Sequence, residues 1–257
     1  MDYPKQAMLL CAGHGSRLHP LTARLPKPML PLNGRPLLAY TLELLRGHGI
    51  DRIAINLHHA WHHIVRYFGD GSAFGVEITY SWEEELLGSA GAVRKLSAFW
   101  EGPFFVLCGD LLTTADLPTL AAFHRRRQAL ATIAVHRAAD PTRGGVVTLD
   151  AAGRLTSFVE KPPRSYASGA AGRTRGTLIN AGVYLLDRAV LAHIPAGQHV
   201  DFGADLLPDL IAQGLPLFGC PVNGYLLDIG SPEAYQRAQS AAPHLPIAAR
   251  LAAATGA

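Results

Sequence analysis

Between residues 9 and 29 the chain reads LLCAGHGSRLHPLTARLPKPM, placing Arg17, Lys27 and a glycine-rich turn within one short stretch. Gly13-His14-Gly15-Ser16 follows a continuous apolar run, and glycines there let backbone N–H groups turn toward a bound anion. Arg17 and Lys27 come next, on a segment stiffened by Pro20, Pro26 and Pro28. An arginine fork and a lysine point charge beside backbone donors suit a polyphosphate. Two phosphate motifs are excluded. The stretch lacks the Gly-Lys-Ser/Thr ending of a P-loop, and Gly13-x-Gly15-x-x-Leu18 lacks the third glycine of the dinucleotide fingerprint. Further along, two aspartates close apolar runs: Asp110 in FFVLCGD and Asp228 in YLLDIG. The carboxyl ends of strands are where open α/β sheets bind ligands. The plainer alternative is that each aspartate caps the segment that follows.

The elements that must hold these residues alternate in type. Residues 6–11, 52–57, 76–80 and 104–108 are short apolar runs, as strands buried on both faces require. Between them, helices are predicted from Pro36 (Leu38, Ala39, Leu42 and Leu45 on one stripe, Gly47 and Gly49 ending it), over 60–68, and through Phe99 after a loop at 88–91. Another starts at Asp116 and ends with Arg125, Arg126 and Arg127, read as a solvated helix end. This βα repetition predicts an α/β fold, a mostly parallel sheet with helices on both faces. After Leu130 the chain turns β-rich: 132–136, 146–149, 154–159 and 178–186, with a hairpin turn at Asp150-Ala151-Ala152-Gly153. A helix over 204–212, a strand over 225–229 and a helix from Pro232 follow, and the tail beyond Ala242 reads either as a docking helix or as frayed. Residues 165–176, rich in Ser, Ala, Gly and Arg without periodicity, read as a loop or lid. The expected organisation is one domain, 1–257, with a nucleotide-binding half (1–130), a second half (131–241) and a tail (242–257).

With 49% hydrophobic and 17% charged residues the chain is a folded globular protein. A formal charge of +3 with scattered cations argues against nucleic acid as the main partner. No apolar run approaches the roughly 20 residues of a membrane span, and the N-terminus has no signal-peptide pattern. Cys11, Cys108 and Cys220, odd in number and far apart, fit free thiols in a reducing cytoplasm.

The stretch from Leu9 to Met29 resembles the signature of the sugar nucleotidyltransferases, or NDP-sugar pyrophosphorylases, approximately L-x-A-G-x-G-T-R-L-x-P-L-T-x-x-x-P-K-P. Ser16 replaces the usual threonine and keeps its hydroxyl, and Cys11 replaces a small residue. The likeness continues in order at ELLGSAGAV, FFVLCGD, FVEKP, NAGVYLL and DIGSPEAY. It implies a Rossmann-like mixed sheet with a β-rich, sugar-binding second half. It also implies a reaction in which an NTP and a sugar 1-phosphate give an NDP-sugar and pyrophosphate. Both reactants are anionic, so alignment and charge neutralisation suffice and no protein nucleophile is needed.

Carried onto this sequence, the resemblance makes Asp110 and Asp228 the ligands of Mg²⁺, an ion that takes hard oxygen donors. Arg17 would stabilise the leaving pyrophosphate and Lys27 would contact the triphosphate. Leu10, Ala12, Gly13, Gly15, Ser16, Gly88, Ser89 and Asp110 would line the nucleotide. Lys161 would take the sugar phosphate and Glu160 the sugar hydroxyls, with Gly109, Asn180 and Gly182 nearby. Arg17, Lys27, Asp110, Lys161 and Asp228 form the catalytic set. Leu87-Gly88-Ser89-Ala90-Gly91 looks like the L-G-T-A-G of mannose-1-phosphate guanylyltransferases, where Gly88 admits a base and Ser89 bonds to it, so GTP is favoured. Similar short enzymes use UTP with N-acetylmuramate 1-phosphate, or GTP with a heptose 1-phosphate, and glucose 1-phosphate also stays open. So does a non-catalytic nucleotide-sugar-binding subunit. A cytoplasmic monomer or homodimer is expected, without the C-terminal left-handed β-helix of longer relatives.

Other features are given structural readings. The run His58-His59-Ala60-Trp61-His62-His63 is taken as a solvated helix start, Trp82 and Trp100 as core or interface residues, and Arg173 and Arg175 as surface-loop residues.

Overall fold

A computed structural model of the chain describes residues 3–138, 140, 142, 144–163 and 177–254. In chain order its strands are β1 (Gln6–Leu10), β2 (Pro31–Leu32), β3 (Arg35–Pro36), β4 (Arg52–Leu57), β5 (Glu77–Trp82), β6 (Phe104–Cys108), β7 (Leu111–Thr113), β8 (Ala131–Ala138), β9 (Val146–Leu149), β10 (Leu155–Val159), β11 (Thr177–Leu186), β12 (Leu217–Pro221) and β13 (Leu226–Asp228). The helices are α1 (Leu37–Gly47), α2 (His62–Phe68), α3 (Gly88–Lys95), α4 (Leu117–Arg127), α5 (Leu207–Ala212), α6 (Pro232–Ala241) and α7 (Pro246–Ala254). Together they form a mixed parallel and antiparallel sheet with helices on both faces, the Rossmann-like α/β class expected from the sequence. None of the helices among the described residues is long and apolar enough to cross a membrane.

The chain divides into two compact units that interleave along the sequence. One comprises Pro4–Leu86, Leu107–Ala115 and Gly224–Ala257. Here β1, β4 and β5 pair in parallel, with Leu9 opposite Ile55 and Ile55 opposite Tyr80. The side chains of β1 and β4 are almost all buried, which is why both read as unbroken apolar runs. Helix α1 starts directly after Pro36, and every residue from Leu37 to Leu45 is buried. Helix α7 covers it: Ile247 and Leu251 are buried, and Arg250 lies 3.6 Å from the same Glu43 carboxylate that Arg46 grips at 2.9 Å. The tail is therefore a docked helix as far as Ala254. Strands β7 and β13 pair antiparallel, so Asp228 stands opposite Leu111, and the Ile229 N–H donates to the Asp110 carbonyl at 3.1 Å.

The other unit comprises Met1–Tyr3, Leu87–Val106 and Asp116–Asn223. Strand β8 runs antiparallel to β11 and parallel to β12, while β9 and β10 form the expected hairpin. The Asp150 carboxylate closes its turn by accepting from the Ala152 and Arg154 amides. Helix α4 is capped by Asp116, which accepts from the Thr119 amide at 3.0 Å. At its far end Arg125, Arg126 and Arg127 are exposed, as read from the sequence, but Arg127 also lies over the Phe123 and Phe218 rings at 5.5 Å. Trp100 is a core residue, stacked on Phe104 at 4.0 Å, whereas Trp82 is half exposed.

The structure departs from the sequence reading in a few places. Residues 88–91 are the first turn of α3 rather than a loop, because that turn is fixed by another segment, described below. The helix expected over 204–212 opens as a π-turn, Phe202–Leu206, before α5. The short strands β2, β3, β7 and β12 escaped notice, since two to five residues carry no readable period. The proposed lid at 165–176, with Arg173 and Arg175, lies outside the described residues. Cys11 and Cys220 are buried and Cys108 half-buried, none of them in a disulfide, and burial pushes the Cys220 thiol up to about 11.

His124, on α4, bonds through Nδ1 to the Thr132 hydroxyl of β8 at 2.9 Å. Burial pushes its pKa down to about 4, with Asp187 opposing, so the unfolded chain takes up a proton that the folded one refuses. Its contribution to stability is full above the ordinary histidine pKa and is lost as pH falls toward the depressed one. In denaturant titrations the unaltered protein should lose roughly 2 kcal/mol more than His124→Gln between pH 7.5 and pH 5. Parallel pH profiles for the two would contradict this.

Candidate active site

The first cluster of predicted residues lies wholly within the unit that contains β1. Strand β1 ends at Leu10, and the Cys11 amide donates to the Asn56 side-chain oxygen at 2.7 Å. Asn56 in turn donates to Glu83 at 2.8 Å, and both residues are buried. This relay fixes the point at which the chain leaves the sheet and enters the Gly13–Ser16 turn. Sequence reasoning missed the part played by Asn56, although a lone amide in the apolar run IAINL was a visible signal. Gly15 adopts φ +66, and its carbonyl accepts from the Thr22 hydroxyl at 2.7 Å. A side chain on Gly109 would lie 2.6 Å from the Cys11 sulfur and 2.8 Å from the Leu10 carbonyl, so glycine is required where β6 meets the end of β1.

Lys27 opens a short 3₁₀ turn between Pro26 and Pro28, which set its backbone direction. Its ammonium lies 2.6 Å from Asp110 and 3.5 Å from Asp228. The antiparallel register of β7 and β13 brings those two carboxylates together from residues more than a hundred positions apart. Neither is a helix cap. The lysine side chain is 7% exposed, against 30% for Asp110 and 49% for Asp228, so the cation is tucked behind two carboxylates that still reach solvent. Arg17 closes the group: a side chain added at Gly230 would touch both the Asp228 carboxylate at 3.1 Å and the Arg17 guanidinium at 3.2 Å. Burial and the like charge of Asp110 raise the Asp228 carboxyl above the ordinary aspartate range, while Lys27 and Arg17 pull it down. A cleft of about 280 Å³ is lined by residues 13–17, Lys27 and Asp110, together with Leu10, Cys11 and Pro28. Backbone donors, two cations and the Asp110 carboxylate thus line one cleft, with Asp228 beside them on Lys27, a set suited chemically to a polyphosphate and a hard divalent cation.

The remaining predicted residues lie in the other unit. Gly88 has φ +70, and a side chain there would lie 2.5 Å from the Val200 carbonyl, so its glycine is explained by the protein's own backbone. The same carbonyl accepts from the Ala90 and Gly91 amides, and Asp201 accepts from the amide and hydroxyl of Ser89 at 3.0 Å. The Ser89 oxygen accepts in turn from the Phe202 amide at 2.8 Å. The start of α3 is therefore a rigid ledge held by residues 200–202. Glu160, at the end of β10, sits where Gly203 and Gly145 leave room: its carboxylate would be 2.5 Å and 3.0 Å from side chains added there. Lys161 beside it takes the left-handed φ +42, strained for a lysine by about 1–2 kcal/mol, and its 67% exposed side chain pairs with Glu160 at 3.2 Å. Asn180 holds a bulge in β11, accepting from the Gly182 amide at 3.0 Å and donating to the Tyr184 hydroxyl, while Tyr184 stacks on Phe202 at 4.9 Å. Glu160, Asn180, Gly182, Gly203 and Ser89 thus belong to one packed neighbourhood.

The histidine run is less solvated than the sequence reading holds. His58 bonds to the Glu83 carbonyl at 2.9 Å, its ring meets His14 of the glycine turn at 5.1 Å, and Trp61 and Trp82 stand edge to face at 5.6 Å.

A mixed α/β sheet with a glycine-rich turn after its first strand and carboxylates at or just beyond strand ends is an arrangement shared by nucleotide-handling folds. The family model described as "Nucleotidyl transferase" matches residues 6–244, and the chain belongs to that family. It is 38% identical over 247 residues to the UTP–glucose-1-phosphate uridylyltransferase of Synechocystis sp., covering 91% of this chain and 62% of that protein. To the mannose-1-phosphate guanylyltransferase of Mycobacterium tuberculosis it is 35% identical over 236 residues, covering 90% and 62%. The chain therefore spans about three-fifths of the length of these curated relatives. Among solved structures, HddC from Yersinia pseudotuberculosis complexed with GMP-PN superposes with TM-score 0.76 at 26% identity, covering 92% of this chain and 98% of that one. UDP-glucose pyrophosphorylase from Acinetobacter baumanii shares the fold, with TM-score 0.79 at 21% identity over 96% and 97% of the two chains.

Replacing Asn56 by leucine leaves the buried Glu83 carboxylate without one of its donors and frees the Cys11 amide. Asn56→Leu should lower unfolding stability by roughly 3 kcal/mol in urea titrations, and a second change, Glu83→Leu, should recover part of that loss. Equal stability of Asn56→Leu and the unaltered protein would remove the relay from the account.

Proposed function

We propose that this chain joins a nucleoside triphosphate to a sugar 1-phosphate, giving an NDP-sugar and pyrophosphate, with GTP and mannose 1-phosphate or a heptose 1-phosphate as the preferred pair. The observation that carries the reading is the convergence of Lys27, Asp110 and Asp228 beside the Gly13–Arg17 turn. A sugar-phosphate oxygen attacks the α-phosphorus, and the bond to the pyrophosphate oxygen breaks in line. The protein's part is to bring the anions together and offset their charge. Arg17 and the backbone of the glycine turn take the leaving pyrophosphate, and Lys27 takes the triphosphate near the reacting centre. Glu160 and Lys161 take the sugar hydroxyls and phosphate, and the strained backbone at Lys161 is the kind of feature that marks a positioned functional group. Leu10, Ala12, Gly13, Gly15 and Ser16 line the nucleotide, Gly109 is assigned to the sugar phosphate, and Asn180 and Gly182 keep the bulge assigned to the sugar.

Asp110 and Asp228 would hold Mg²⁺, since two carboxylates already converge on a single cation, Lys27. Bound there, the ion would supply further neutralisation of phosphoryl charge. The ledge formed by Leu87, Gly88 and Ser89 is the reading's base-discriminating element, and its rigidity suits that task. Guanine is favoured by the LGSAG run, by the guanylyltransferase relative and by the nucleotide bound in the HddC structure. The 38% likeness to a uridylyltransferase named for glucose 1-phosphate supports a second reading, UTP with that sugar.

A pyrophosphate-release assay crossing GTP, UTP, dTTP and ATP with mannose, glucose, N-acetylmuramate and heptose 1-phosphates decides between them. The expected result is Mg²⁺-dependent release that is fastest with GTP. Asp110→Asn and Asp228→Asn should each lower turnover by about 100-fold or more while melting normally. Faster reaction with UTP gives the second reading its place. NDP-sugar binding without release for any combination would make the chain a binding subunit.

A further inference from the structure

Among the described residues, Lys27 is the cation placed directly against both carboxylates, at 2.6 Å from Asp110 and 3.5 Å from Asp228. A hard divalent cation on the same two carboxylates would sit within a few ångströms of that ammonium, so the two positive charges compete for them. We propose that Lys27 is the resident counter-ion of the Asp110–Asp228 pair, and that it gives up the carboxylates to an arriving divalent cation and swings to the phosphates of the nucleotide. The proposal rests on the reading of Asp110 and Asp228 as the metal pair and adds an exchange of cations to it.

The geometry supports an exchange rather than simple crowding. The stem of Lys27 is fixed: its turn is bounded by Pro26 and Pro28, and its Cβ lies 3.4 Å from the point where a Gly15 side chain would begin. Only the outer bonds of the side chain are left to move. The same cleft is lined by the 13–17 turn, so an ammonium that leaves Asp110 remains among the anion-binding donors. The carboxylates are four to seven times more exposed than the lysine side chain, so an ion arriving from solvent can reach them.

Charge counting points the same way. Without ligands, the two negative carboxylates are offset by Lys27 and Arg17. A divalent cation on the carboxylates offsets them alone and frees both side chains for a triphosphate that brings several negative charges. Lys27 thereby couples metal to nucleotide: each should bind poorly until the other is present.

The test is Mn²⁺ binding to the full chain without nucleotide, read from the electron paramagnetic resonance signal of the free ion. Lys27→Met should bind Mn²⁺ about tenfold or more tightly than the unaltered protein, because the competing charge is gone. Adding Asp110→Asn or Asp228→Asn to that variant should abolish the gain. If Lys27→Met binds no more tightly while the aspartate changes still weaken binding, the exchange is refuted and the metal pair stands. If neither aspartate affects Mn²⁺, the metal pair itself is wrong. A second measurement needs no variant. At Mn²⁺ concentrations where the ion is bound, acetylation of Lys27, followed by mass spectrometry, should rise several-fold in the unaltered protein, and unchanged labelling overturns the proposal.

Discussion

Two carboxylates held within reach of one ammonium are the constraint around which the first unit is arranged. Like charges this close repel, and partial removal from water makes the repulsion worse, so the arrangement persists only because a cation is held between them. Each participant arrives by a different structural route. Lys27 is aimed by two prolines, Asp110 comes one glycine after a buried strand, and Asp228 is set by an antiparallel register with β7. A one-residue slip of β13 would turn Asp228 to the opposite face and leave Asp110 with Lys27 alone.

Beneath that group the scaffold is stiff. The Cys11–Asn56–Glu83 relay spans three parallel strands or their ends, so the exit of β1 is fixed by a buried polar chain as well as by sheet hydrogen bonds. Gly109 lets the turn carrying Asp110 approach β1 closely enough for its amide to reach the Leu10 carbonyl at 2.9 Å. In the other unit, glycines serve the same end. Gly88, Gly145 and Gly203 are small because neighbouring protein atoms, those of Val200 and Glu160 among them, occupy the space a side chain would need. A glycine-rich motif in this chain is as much a record of close internal packing as of ligand approach.

That distinction explains what could be read in the sequence. Residues 52–57, 104–108 and 146–149 are strands with the expected bounds, because buried strands are apolar on both faces and are cut off by Gly, Asp or Pro. Asp116 was readable as a helix start, and its cap is local. The turn at 88–91 was not, because the partners of Ser89, Ala90 and Gly91 lie more than a hundred residues away at Val200 and Asp201. Asn56 was missed for the same reason: its partners, Cys11 and Glu83, are 45 and 27 positions distant. Arg17, Lys27, Asp110 and Asp228 could be singled out in the sequence through the family resemblance, but the contacts of Lys27 with two aspartates far along the chain could not.

The cleft also shows why such a site resists replacement by something more stable. Breaking a buried ion pair is costly, yet exchanging the whole group for apolar residues of similar volume is often neutral or favourable. Lys27, Asp110 and Asp228 are therefore poor candidates for a purely stabilising role: 30% and 49% exposure of the two carboxylates leaves them too wet for the strongest attraction and too crowded for easy hydration. Such intermediate burial makes each charge responsive to the arrival of another. If the cleft takes a triphosphate as proposed, cations with somewhere else to go would suit it, and the two aspartates already give Lys27 such a place.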